Sequence, residues 1–222
     1  MKSVLKFSSL LSGILAVFLA GGLENSPHYI QELSPYHSSL TAWEDEVFDR
    51  TLQELHHHES QYEMDLKNRI IQLVSRYKTG LKEHHVFNLS DRIVEESKKY
   101  GYDPLFLMAL ILTESSFNNW ARSNRGALGL MQIRPATGKA LAGETRVKWK
   151  GKPTLYDPET NIALGAYYLN KLVLRYGDLG LALEAYNHGP SKLNRYLRKG
   201  YRPKRYSQKV FRNYNWLRSQ SI

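Results

Sequence analysis

The chain has 222 residues, with 31 Lys and Arg against 21 Asp and Glu, and no Cys. That length holds one compact domain plus an appendage, and a hydrophobic content of 42% is enough for a core. The missing cysteines exclude disulfides, thiol catalysis, cysteine-ligated metals and a lipid-modified N-terminus, while a net charge of +10 favours anionic partners.

In chain order, Lys2 and Lys6 precede an uncharged run from Phe7 to Leu23. Residues 1–22 read as a signal peptide, cut after Ala20-Gly21-Gly22, or as an N-terminal membrane anchor if the run is retained. Export argues against nucleic acid as the anionic partner. Residues 23–42 are polar with two prolines and read as a tether. From 43 to 80, Phe48, Leu52, Leu55, Tyr62, Leu66, Ile70, Leu73 and Tyr77 recur at steps of three and four, interrupted at Glu59. The spacing predicts a long amphipathic helix stopped by Gly80, its apolar face packed on the next domain or on a partner helix. His56, His57 and His58 on such a helix point in different directions and do not converge on an ion, and His84-His85 fare no better. No metal site and no cofactor are expected.

Asp103-Pro104 then opens a helix, an acceptor side chain at the cap and proline at the first position. Leu105 to Leu112 carry no polar side chain, so this helix should be buried all round, and it delivers Glu114 just where it leaves the core. A carboxyl group at the mouth of an apolar element is a candidate general acid, because desolvation disfavours its ionised form. The plain structural alternative is a helix-end carboxylate paired with Arg122 or Arg125. Gly126 and Gly129 punctuate the following loop and allow tight turns and close backbone approach to a ligand. Arg146, Lys148, Lys150 and Lys152 form a basic loop of the kind that is usually solvated surface. Helices are predicted from Asp157-Pro158 to Tyr176, from Leu179 to Tyr186, from Ser191 to Gly200 and from Tyr206 to Arg218. No stretch alternates with the period of two expected of strands. The fold class is therefore all-α, with at most a small β-hairpin in the basic loop.

Three blocks, Glu114-Ser115-Ser116-Phe117, Gly126-Ala127-Leu128-Gly129-Leu130-Met131-Gln132 and Ala185-Tyr186-Asn187-His188-Gly189, resemble in order and spacing the signature blocks of the family 1 lytic transglycosylases, whose catalytic domain is related to goose-type lysozyme. The resemblance runs from about Leu89 to Leu217. It takes in Pro135-Ala136-Thr137, Asp157-Pro158 with Asn161-Ile162, and Tyr206 to Tyr214. It departs at Asn119-Trp120-Ala121, where the family commonly has a proline after the first Asn. It implies a lysozyme-like catalytic domain over residues 85–222, preceded by the long helix.

The resemblance also implies cleavage of the β-1,4 bond between N-acetylmuramic acid and N-acetylglucosamine in peptidoglycan, leaving 1,6-anhydromuramoyl ends. Glu114 would serve as both acid and base, with Ser115, Ser123, Gly129, Met131, Gln132, Tyr186 and Asn187 as substrate-binding residues. In that scheme Ser115 and Ser123 hydrogen-bond an N-acetyl group or the carboxylate, Met131 offers a surface to a pyranose face, the Tyr186 hydroxyl approaches Glu114 and Asn187 supports it. The implied partners are peptidoglycan strands, with an anionic membrane surface or an envelope assembly as further candidates, and the implied location is the bacterial periplasm or envelope. Two alternatives stay open. A goose-type muramidase would need a second carboxylate to activate water, from Asp157, Asp178 or Glu184; a binding component of an envelope assembly would keep the fold without turnover.

Overall fold

The computed structural model describes residues 27–220, and side chains from Val47 onward. Eight helices make up the described chain: α1 (Pro27–Val74), α2 (Glu83–Tyr100), α3 (Pro104–Ser115), α4 (Pro135–Thr145), α5 (Pro158–Tyr176), α6 (Leu179–His188), α7 (Pro190–Arg198) and α8 (Arg205–Ser219), with one 3-10 turn at Lys152–Leu155. No strand occurs among the described residues. The all-α class is as the sequence predicts. The basic loop holds the 3-10 turn instead of a hairpin, and isolated bridges pair Leu128 with Arg122 and Ile133 in the glycine loop.

Two compact units meet within α1, one ending at Ser60 and the other running from Gln61. The leader predicted over residues 1–22 lies outside the described residues. Where a tether was predicted, the helix already runs from Pro27. Pro27 suits a first helical position, and no glycine interrupts the chain between Gly22 and Gly80. The other end stops at Val74, short of the predicted Gly80. Within the second unit, Leu66 packs against the core, and Ile70, Leu73 and Val74 are buried. Phe48, Leu55 and Tyr62 are exposed, so the amphipathic seam is used for packing only over its last turns. No described helix is long and apolar enough to cross a membrane.

The second unit is built around α3. Leu105 to Ile111 are all buried, and each Leu, Phe, Met or Ile among them contributes about 1.5–3 kcal/mol when removed from water. The predicted cap is present, the Asp103 carboxylate accepting from the Leu105 N–H at 2.8 Å. α8 lies along α3, with the Tyr214 hydroxyl donating to Asp103 at 2.6 Å and the Asn213 amide to Thr113 Oγ1 at 2.8 Å. Arg69 closes the far end of α8 by donating to the carbonyls of Leu217, Arg218 and Gln220, a cation at a helix C-terminus, where it is favoured. α5 packs between α2 and α6. That arrangement puts the last turn of α3, the first turn of α8 and the last turn of α6 around one opening.

Candidate active site

Glu114 is half-buried in the last turn of α3. Beyond it the chain turns sharply, with Ser116 and Phe117 at φ 52° and 60°, a region L-residues adopt only when packing over-determines it. Phe117 is fully buried with its ring tilted against that of Tyr77, centroids 5.1 Å apart, which supplies that packing. Glu114 makes no ion pair with Arg122, Arg125 or any other cation among the described residues. Its partner is Tyr206, whose hydroxyl donates to Glu114 Oε1. Burial pushes the Glu114 carboxyl up to about 7, against the opposing pull of the Tyr206 hydrogen bond and the Lys209 charge. A carboxyl group with that value carries its proton up to neutral pH and can also release it there.

Glu114 opens into a cleft of about 320 Å³, shared with Ser123, Arg125, Gln132, Tyr186 and Asn187 among others. A smaller pocket of about 200 Å³ continues past Tyr186 and Asn187 toward Tyr168 and His188. Glu114 is the one carboxylate lining either space among the described residues. The other acids proposed from sequence are engaged elsewhere. Asp157 caps α5 by accepting from the Thr160 N–H at 2.9 Å, and Asp178 caps α6 by accepting from the Leu181 N–H at 2.6 Å. Glu184 is wholly buried against Ser207.

Of the seven proposed substrate-binding residues, Ser123, Gln132, Tyr186 and Asn187 line the cleft. Ser123 Oγ accepts from the Ala127 N–H at 3.0 Å. The Gln132 amide donates to the carbonyls of Ala121 and Gly129 at 3.1 and 2.9 Å, which fixes the side chain across the glycine loop. The Tyr186 hydroxyl donates to the Met131 carbonyl at 2.9 Å; burial first, and the Glu114 charge next, push that phenol well above its ordinary value.

The other three sit differently. Ser115 donates back to the Ile111 carbonyl of its own helix at 3.2 Å, as a serine in the last turn of a helix readily does. Met131 is fully buried, and a Cβ on Gly165 would fall 2.4 Å from its Sδ, so the side chain fills the core, while its carbonyl accepts from Tyr186. Gly129 has φ 80°, and a Cβ there would meet the Leu155 carbonyl at 2.3 Å and the Asn161 amide at 2.4 Å. The close approach of Asn161 therefore requires glycine here.

Asn161 is the positioning residue that residue-type reasoning passed over. Fully buried, its amide donates to the carbonyls of Leu128 and Leu155 at 3.1 and 2.8 Å, and its oxygen accepts from the Met131 N–H at 2.7 Å. All of its hydrogen-bonding capacity but one lone pair is spent on tying the glycine loop and the 3-10 turn to α5. A polar residue one turn inside a capped helix, directly before the apolar run Ile162-Ala163-Leu164, was the available signal. Tyr206, the actual partner of Glu114, lay in the C-terminal stretch of the resemblance, but nothing local to it announced a contact across more than ninety residues of chain. At the sequence departure, the Trp120 indole donates to the Gly80 carbonyl at 3.0 Å and packs at a tilt against Tyr156, so the loop is anchored by a ring where a proline would stiffen it.

Residues 91–209, more than half of the chain, match the family model for the transglycosylase SLT domain. The chain belongs to that family. A transglycosylase of Enterobacteria phage PRD1 is 40% identical over 121 residues, covering 54% of this chain and 41% of the phage protein. A membrane-bound lytic murein transglycosylase E of Buchnera aphidicola is 36% identical over 120 residues, covering 48% of this chain and 52% of that protein. The chain thus spans about half, or less, of the length of these relatives. Among solved structures, an inactive Glu-to-Gln mutant of the lytic transglycosylase Slt from Pseudomonas aeruginosa superposes with a TM-score of 0.51 at 29% identity, covering 57% of this chain and 23% of that one. The SLT match covers α3, the glycine loop and α5 to α7 in full, and ends within α8 three residues beyond Tyr206.

Proposed function

We propose that the protein is a peptidoglycan lytic transglycosylase in which Glu114 alone carries both proton transfers. The observation that supports this most is a single desolvated carboxyl group, in a cleft lined by no second acid among the described residues, oriented by a tyrosine. Protonated below about 7, Glu114 donates to the oxygen of the β-1,4 bond between N-acetylmuramic acid and N-acetylglucosamine as the oxocarbenium-like transition state develops. As carboxylate, it then takes the proton of the muramoyl C6 hydroxyl while that oxygen attacks C1, and a 1,6-anhydromuramoyl end results.

One residue suffices because the nucleophile belongs to the substrate. Glycosidases that use water or an enzyme nucleophile commonly need a second carboxylate, whereas intramolecular attack reaches effective molarities of about 10⁵ M or more. Tyr206 keeps Glu114 aimed during both steps, and the polar edges of Ser123, Gln132 and Asn187 offer partners to sugar hydroxyl and acetamido groups. Arg125 and Arg134 line the cleft without a carboxylate partner among the described residues, which suits the acidic groups of a peptide-bearing glycan. A location in the bacterial envelope accords with the leader read in residues 1–22 and with the names of the membrane-bound relatives.

The muramidase alternative is not favoured, since Asp157 and Asp178 are helix caps and Glu184 is buried. Glu114→Gln should keep the fold and lose at least about a hundredfold in glycan release, because an amide has no acidic proton to give. Release of soluble fragments from purified peptidoglycan measures this; turnover at the parent rate would remove Glu114 from the role.

A further inference from the structure

We infer that Glu184 is a positioning residue: it fixes the first turn of α8 from the neighbouring helix α6 and thereby holds the Tyr206 hydroxyl on Glu114. The inference rests on Glu114 being the acid. Glu184 is fully buried, lines no part of the cleft and enters no step of the proposed reaction. Its Oε1 accepts from the Ser207 N–H at 2.8 Å and lies 3.0 Å from the Ser207 hydroxyl. That N–H is one of the first-turn amides that have no partner within their own helix. Lys204, at the N-cap of α8, supplies no side-chain cap. The cap therefore arrives from α6, as a carboxylate at the positive end of a helix dipole.

Tyr206 is the residue immediately before Ser207, so the same contact sets where its ring stands. α6 also carries Tyr186 and Asn187, two walls of the cleft. A Ser or Asp at position 204 would cap α8 without burying a carboxylate, but would leave it untied to α6. The charged and titratable groups around this tie are few. Tyr206 stands among Glu114, Tyr186 and Glu184; Lys209 faces Glu114; His188 Nε2 lies 3.4 Å from Glu184 Oε2, with Arg125 and Lys192 acting on His188. Glu184 Oε2 has no hydrogen bond, which leaves Ser207 as the group this carboxylate holds by hydrogen bonds. The hydrogen bond from Tyr206 favours the ionised form of Glu114 and opposes its desolvation. Releasing Tyr206 should make Glu114 keep its proton to higher pH and lose its aim in the second proton transfer.

The test compares parent, Tyr206→Phe, Glu184→Met, Glu184→Gln and the Tyr206→Phe/Glu184→Met double variant. Two readouts are taken: the carboxyl titration of Glu114 by carbon NMR, and the pH profile of glycan release. Glu184→Met fills the same space without an acceptor, and should move the Glu114 titration and the alkaline limb upward as Tyr206→Phe does. It should cut kcat roughly tenfold to a hundredfold with KM nearly unchanged. The double variant should be no worse than Tyr206→Phe alone, and Glu184→Gln, which keeps an acceptor oxygen, should stay near the parent. A Glu184→Met protein that loses stability while keeping the parental titration and kcat overturns the inference, as does additivity in the double variant or a Glu184→Gln protein that behaves like Glu184→Met. Should Glu184→Met fail to fold, Ser207→Ala, which removes the hydroxyl shared between Oε1 and the Lys204 carbonyl and leaves the N–H bond, should move the titration the same way by less; no movement is again contrary. The titration does not depend on which product forms, so it separates this inference from the transglycosylase reading.

Discussion

The Glu114 carboxyl carries opposite demands, and its stability effect follows from them. Its folded value lies near 7 against an unfolded value near 4.5, so between these pH values the folded chain binds the proton more tightly than the unfolded chain. Stability from this group is therefore full below about 4.5 and falls as pH rises through 7, where the half-buried carboxylate must be ionised. Glu114→Gln removes that cost. It should melt at the same temperature as the parent near pH 4 and above it at pH 8, by on the order of 1–2 kcal/mol after allowing for solvent screening. Thermal unfolding at the two pH values checks this, and equal melting at pH 8 would mean that burial does not govern the group. Glu114 was legible in the sequence because an apolar run ends on it. Tyr206 was not, since a contact between the third and eighth helices leaves no trace in local pattern.

At the scale of elements, caps and turns were readable and the interior of the glycine loop was not. Asp103-Pro104, Asp157-Pro158 and Gly177 bound their helices as their chemistry predicts. Gly129 and Met131 were read as ligand-facing because a glycine-rich loop beside an acid invites that reading; the close packing of Gly129 on the Leu155 carbonyl and Asn161, and of the Met131 side chain on Gly165, is brought about only by the fold. Asn161 holds that loop. Asn161→Ala would leave the Met131 N–H and the Leu155 carbonyl without their side-chain partner in the interior, at about 1–3 kcal/mol each, while the Leu128 carbonyl would keep its bond from the Ile133 N–H. A loss of about 3 kcal/mol or more is expected, lowering Tm by roughly 10 °C in a domain of this size, together with most of the activity. Retention of parental Tm would mean that the loop is held by other contacts.

For the whole molecule, the amphipathic pattern through α1 was legible, while the point at which packing begins was not: the exposed Phe48, Leu55 and Tyr62 carry the same periodicity as the buried Ile70 and Leu73. The net charge of +10, with Arg125 and Arg134 on the cleft, predicts electrostatic attraction to an acidic polymer. KM for peptidoglycan should rise several-fold between about 0.05 and 0.5 M salt while kcat changes little, since screening weakens encounter and not chemistry; a salt-independent KM would assign no part of recognition to charge. The central claim, that the oxygen attacking C1 belongs to the substrate and one carboxylate therefore suffices, is tested most directly by digestion in water enriched in heavy oxygen, with mass spectrometry of the muramoyl ends. Unlabelled anhydro ends, lighter by one water than reducing ends, are predicted; heavy oxygen incorporated at C1 of reducing muramic acid would contradict the account.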